Sequence, residues 1–165
     1  MKKIYKYIVL LCCSVFLLSC YDLERYPQDQ LSTETFWQND DQAKEGIMGC
    51  YQCMRYGYIY YYHFMMDVCS DAGQGVGNGL YNITRGTWTS STSFVLSKWQ
   101  QTYEGVARTN YVIKSLGTAT NVSETVKTQI LGEAKFLRAL YYFNLMIHFG
   151  GVPIYDETFD YENNY

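Results

Sequence analysis

Two groups of side chains in this 165-residue sequence are suited to binding chemistry. The first is Tyr81, Asn82, Arg85 and Trp88, with Asp71 a little upstream. Flat aromatic rings stack on the weakly polar faces of a ligand, and Asp, Asn and Arg offer paired acceptors and donors to polar groups beside them. These five residues are therefore expected to form a ligand platform. The competing expectation is that Trp88 packs against helices and Arg85 pairs with a carboxylate. The second group is Cys50-x-x-Cys53, with Cys69, His63 and His148. A tetrahedral zinc site normally shows two close ligand pairs, whereas here one pair is accompanied by scattered single ligands. A redox dithiol opens a helix after a strand, and this pair falls inside a helical pattern. Buried thiols, or one disulfide in an oxidising compartment, are the expected state, with no metal or other cofactor. No nucleophile–base pair, phosphate loop or catalytically placed acidic pair is visible, so no enzymatic activity is expected.

These residues must be positioned by helices. The chain is 48% hydrophobic and 18% charged, which excludes a disordered polar polymer, and its length suits one domain. A formal net charge of −3 with no basic run argues against nucleic acid as a partner. Eighteen tyrosines promise much aromatic surface. A first helix opens near Asp40-Asp41 and presents Ala43, Ile47, Cys50 and Met54 on one face. Gly73, Gly75, Gly77 and Gly79 then mark residues 70–93 as a long loop. A second helix runs from about Phe94 to Leu116, with the stripe Val95, Trp99, Tyr103, Val106, Asn110, Ile113 and a stop at Gly117. Trp99, Tyr103 and Trp37 are expected in packing roles. A third begins near Asn121, with Glu124 in a capping-box-like relation. It carries two apolar stripes: Val126, Ile130, Ala134, Leu137, Tyr141, Leu145 and then Phe136, Leu140, Phe143, Ile147. Two stripes predict a helix covered on more than one side. Phe149-Gly150-Gly151-Val152-Pro153 ends it. The expected fold is all-α, built of antiparallel helical hairpins with a long aromatic and glycine-rich loop.

The N-terminus reads as an address. Lys2, Lys3 and Lys6 precede the apolar run Ile8 to Leu18, of the length of a secretory leader and short of a membrane span. Leu17-Leu18-Ser19-Cys20 resembles a bacterial lipobox, so residues 1–19 are expected to be removed and Cys20 to carry the lipid anchor. Residues 20–39 then form a tether leading into a domain over 40–165. Loss of the three lysines leaves the remainder more acidic, so the anchor rather than surface charge would hold it at a membrane.

The run Gly132-Glu133-Ala134-Lys135-Phe136-Leu137-Arg138-Ala139-Leu140-Tyr141-Tyr142-Phe143, followed by the Gly-Gly-Val-Pro turn, resembles the hallmark helix of the SusD/RagB family of outer-membrane nutrient-binding lipoproteins. Cys20-Tyr21-Asp22-Leu23 with Pro27, Phe36-Trp37, Ser70-Asp71, Trp99 to Tyr103 and Asn110 fall in the same order as in that family. The resemblance implies tetratricopeptide-like (TPR-like) helical hairpins, a lipid anchor at the cell exterior and no catalysis. It also implies capture of an oligosaccharide, in some members a peptide, for a TonB-dependent SusC-like outer-membrane barrel. Family members are several times longer, so the chain reads as the N-terminal portion of such a receptor. The alternatives are a helical-repeat lipoprotein that docks a protein partner, and a remnant without function. Under the last, residues 20–165 alone are expected to be poorly soluble or partly unfolded. Glu133 and Arg138 are expected to fix neighbouring helices or backbone.

Overall fold

The computed structural model of the chain describes residues 36–57, 59, 64–76 and 80–159. The leader, Cys20, most of the tether and His63 lie outside the described residues. Within them the chain forms helices α1 (Asp40–Cys53), α2 (Phe64–Asp67), α3 (Leu80–Thr84), α4 (Ser93–Thr118) and α5 (Glu124–Phe149), with no strand. The expected all-α class holds. The glycine-rich stretch 70–93 is less irregular than its composition suggests, because α3 forms inside it. None of the described helices is long and apolar enough to cross a membrane.

Helix α1 starts where Asn39 accepts a bond from the Gln42 backbone N–H at 2.9 Å, and Asp40 and Asp41 face the positive end of the helix dipole. The start of α5 differs from the expected Asn121–Glu124 box. Ser123 is the N-cap residue, and both its N–H (2.7 Å) and its Oγ (2.8 Å) donate to the carboxylate of Asp40. Asn121 donates instead to Gln38 Oε1 at 2.7 Å. A carboxylate is the stronger acceptor, so a residue of α1 caps α5 from across the interface. The same two bonds hold the Asp40 carboxyl below its ordinary range. At the other end, Gly150 takes φ 75°, a conformation costly for a residue with a Cβ, and its N–H closes on the Met146 carbonyl.

Helices α4 and α5 run antiparallel: Gly105 meets Tyr141 and Asn110 meets Arg138. Helix α1 lies against both, since Arg108 of α4 donates to Gly49 O and Tyr141 of α5 donates to Cys50 O. The first stripe of α5 is the core face, with Ile130, Ala134, Leu137, Tyr141 and Leu145 all buried. Of the second stripe only Leu140 is half-buried, and the rest is left exposed among the described residues. Phe136 is 67% exposed, and Phe143 and Ile147 are also exposed. On α4 the buried face takes in Val106, Asn110 and Ile113 of the expected stripe together with a row one residue round from it, Phe94, Lys98, Thr102, Gly105, Thr109, Val112 and Leu116. Thr102 and Thr109 satisfy their hydroxyls on the carbonyls of Lys98 and Val106, at 2.7 Å each, which is how polar residues occupy that row. Trp99 and Tyr103 pack on its flank, their rings 4.7 Å apart, with Phe149 against Trp99. Trp37 is buried as expected, at φ 74°, and Gly46 leaves room for it. A Cβ at Gly46 would stand 2.4 Å from the indole.

Lys98 is only 4% exposed and donates from Nζ to the Ile59 carbonyl at 3.0 Å. Burial disfavours its charge and lowers its pKa from 10.5 to about 8. Between those values the unfolded chain holds the proton that the folded chain has released, so this residue's contribution to stability rises with pH. Comparing wild type with Lys98→Met by urea unfolding, the difference should move in favour of wild type by about 2 kcal/mol from pH 8 to pH 10. Buried Cys50 and Cys53 and half-buried Tyr103, whose pKa values burial raises, pull stability the other way above pH 9 in both proteins and cancel in the difference. A flat difference would mean that the amine is hydrated in the folded state.

Candidate functional site

The platform residues fall on one turn of chain. Tyr81 and Asn82 lie on α3, one helical turn brings Arg85 back over Tyr81, and the guanidinium carbon sits 4.1 Å from the ring centroid. Gly86 then takes φ 67°, reversing the backbone, and the Thr87 N–H closes on the Asn82 carbonyl at 2.9 Å. Trp88 follows, 53% exposed, and Tyr81 is 40% exposed. The Gly75 N–H bonds Thr84 Oγ1 at 3.0 Å, tying the glycine-rich segment to α3. Among the described residues no carboxylate pairs with Arg85, and Trp88 makes no ring contact with Tyr81. Asp71 is exposed in the turn after α2 and bonds to none of the other four. The structure thus joins Tyr81, Asn82 and Arg85 in one bonded turn, presents Trp88 beside it, and leaves Asp71 apart.

Cys50 and Cys53 are free thiols on the buried face of α1. Burial, with Cys53 alongside, pushes the Cys50 thiol up to about 12, and Cys53 donates to the Gly49 carbonyl at 3.7 Å. Thiols in that state are poor nucleophiles and poor metal ligands. Cys69, two residues after α2, is exposed. His148 bonds the Asn144 carbonyl from Nδ1 at 2.7 Å, and burial lowers its pKa.

A second constellation was not visible as a site in the sequence. Arg138 of α5 binds Asn110 Oδ1 at 2.9 Å and pairs with Glu157. Asn110 Nδ2 and the Tyr142 hydroxyl both donate to the Tyr155 carbonyl, at 2.9 and 2.8 Å, and Tyr103 donates to the Pro153 carbonyl at 2.7 Å. The segment after the Gly-Gly turn is thereby strapped across α4 and α5. Its sequence signals were Asn110, a polar residue on an apolar stripe, and Arg138 of the hallmark run. Glu133 accepts from Tyr51 at 3.2 Å, so both hallmark residues bridge elements as expected. A third cluster, Arg108 with Glu104, Tyr56 and the Gly49 carbonyl, ties α4 to α1 and left no mark in the spacing.

Fold and surface define an all-α domain whose polar clusters hold helices and backbone in place, with one exposed aromatic–cationic turn. Residues 23–164 match the SusD-like sequence family described as "Starch-binding associating with outer membrane". The chain belongs to the SusD-like family, a family of generally non-catalytic binding proteins associated with the outer membrane. It is similar to three proteins of Formosa agariphila. It is 24% identical to SusD-like protein P25 over 160 residues, 87% of this chain and 30% of that protein. It is 31% identical to SusD-like protein P38 over 142 residues, 82% of this chain and 27% of that protein. It is 27% identical to SusD-like protein P2 over 164 residues, 94% and 32% respectively. The chain therefore spans about three-tenths of the length of these curated relatives. No solved structure matches it.

Proposed function

We propose that the chain is the N-terminal part of a cell-surface lipoprotein that captures oligosaccharide for a TonB-dependent SusC-like barrel. Residues 1–19 are its leader and Cys20 its lipid anchor, on the outer membrane and facing the exterior. The α4–α5 hairpin is the first unit of a TPR-like stack. Tyr81, Asn82, Arg85 and Trp88 are the sugar platform, with Asp71 at its margin. The observation that carries this reading is an exposed tryptophan and tyrosine on one short bonded turn, in a chain matched to the SusD-like family almost from end to end. Large rings are normally buried, and their joint exposure beside Arg85 suits the CH face of a sugar. The test is binding of the purified chain to a panel of neutral and acidic oligosaccharides, followed by capture of a co-expressed SusC-like barrel. At least one oligosaccharide should bind, and Trp88→Ala should weaken it about tenfold. Failure of the full-length protein to bind any oligosaccharide or peptide would end the reading.

The exposed row Phe136, Phe143 and Ile147 favours a second reading, a protein-docking lipoprotein that binds no sugar. Under it Trp88→Ala leaves capture of the barrel intact and the oligosaccharide panel gives no signal.

A further inference from the structure

We propose that the platform selects saccharides bearing an oxyanion, either a carboxylate or a sulfate ester, and that Arg85 is the residue that recognises it. This inference rests on the sugar-binding reading and narrows it. Arg85 is the only lysine or arginine between Arg55 and Lys98. Among the described residues no carboxylate lies in ion-pair contact with it, whereas Arg108 and Arg138, the arginines on α4 and α5, are each held by a glutamate. The guanidinium carbon sits 4.1 Å from the Tyr81 ring centroid, and among the described residues no acceptor takes up its N–H donors, which leaves them for an external one. A planar fork with several donors fits the paired oxygens of a carboxylate or sulfate, and such charge-assisted bonds are about twice as strong as neutral ones.

The backbone fixes where that fork stands. The Arg85 N–H bonds the Tyr81 carbonyl at 3.2 Å and the Gly86 N–H bonds Ile83 at 3.0 Å. Tyr81 and Arg85 are thus carried on a closed turn, with Trp88 directly after it, rather than on a wandering loop. The chain as a whole is acidic, with net charge −3, so an anionic ligand needs a local cation, and this stretch supplies one.

The decisive comparison holds the sugar backbone constant and changes only its charge. Calorimetry on the purified chain would use tetragalacturonate, its fully methyl-esterified form, a sulfated galactan tetramer, a neutral galactan tetramer and tetraglutamate. The expected result is binding of tetragalacturonate or the sulfated galactan at least tenfold tighter than its uncharged counterpart. The tighter of the two identifies the substituent as carboxylate or sulfate. Arg85→Gln should bring that preference close to parity, Arg85→Lys should retain part of it, and raising NaCl from 50 to 500 mM should shrink it. Arg85 is on the surface, so an unchanged thermal transition would confirm that both variants fold. Equal affinity for charged and uncharged forms would overturn the inference and leave sugar binding standing. So would a preference that survives Arg85→Gln. Binding of tetraglutamate as tight as any sugar would overturn it in favour of an acidic peptide. Silence from all five ligands would overturn this inference, while the reading beneath it falls only if the wider oligosaccharide panel is silent as well.

Discussion

Tyr141→Ala is expected to destabilise the domain by about 4 kcal/mol, a large share of the stability of an ordinary fold. Tyr141 is fully buried, its ring fills the angle between α1, α4 and α5, and its hydroxyl donates to the Cys50 carbonyl at 2.7 Å. Alanine removes the ring and leaves that carbonyl unpaired. Tyr141→Phe separates the two contributions: it keeps the ring, loses only the hydrogen bond, and should cost about 1–2 kcal/mol. Gly105 supplies an independent check. A Cβ there would stand 2.8 Å from the Tyr141 ring, so Gly105→Ala overpacks the interface and should cost about 1–3 kcal/mol. In the Tyr141→Ala background the same change meets a cavity, and its cost should vanish. Urea unfolding of the four proteins closes the cycle. Additive costs would mean that the two residues do not share the contact.

Arg138→Met should cost about 2–3 kcal/mol and should free the strap before it melts the helices. The methionine replaces the packed stem but leaves Asn110 Oδ1 and the Glu157 carboxylate without their cation. Hydrogen exchange at residues 152–159 should rise ahead of global unfolding, because that segment's other ties are the hydroxyls of Tyr103 and Tyr142 and the amide of Asn110. The pH dependence has a definite sign. The bond from Arg138 holds the Glu157 carboxyl below its ordinary value of 4.5. Its contribution is therefore complete above that value and is lost as pH falls through the lowered folded value. Wild type and Arg138→Met should converge in stability in acid and differ most at neutral pH. A constant gap across that range would assign the loss to packing alone.

The helices were legible because their buried faces are mostly written in apolar residues. Ala43, Ile47 and Cys50 on α1, and Ile130 to Leu145 on α5, occupy the positions their spacing predicts. On helix α4 the expected stripe is buried over Val106, Asn110 and Ile113, but in the first half the buried face turns to Lys98, Thr102 and Gly105, which carry no apolar signal. Threonine hides its hydroxyl on the preceding turn and glycine makes room for a ring, and neither device shows in a hydrophobic pattern. The cap of α5 was missed for a similar reason: its acceptor lies 83 residues away, on another helix. The platform was legible as a set of residue types. That Arg85 lies over Tyr81 follows from α3, which four closely spaced glycines concealed. The exposure of Phe136, Phe143 and Ile147 could not be read at all, because an apolar stripe records what a helix is able to bury and not whether anything lies against it.

The bond pair from Ser123 to Asp40 has a consequence for the order in which the molecule comes apart. Helix ends ordinarily fray independently, each at little cost. Here the first turn of α5 hangs on a carboxylate that sits in the first turn of α1. If α1 unwinds from its start, α5 loses its cap in the same event, and the reverse holds too. The two ends behave as one cooperative unit, and an opening that begins at either must lift both.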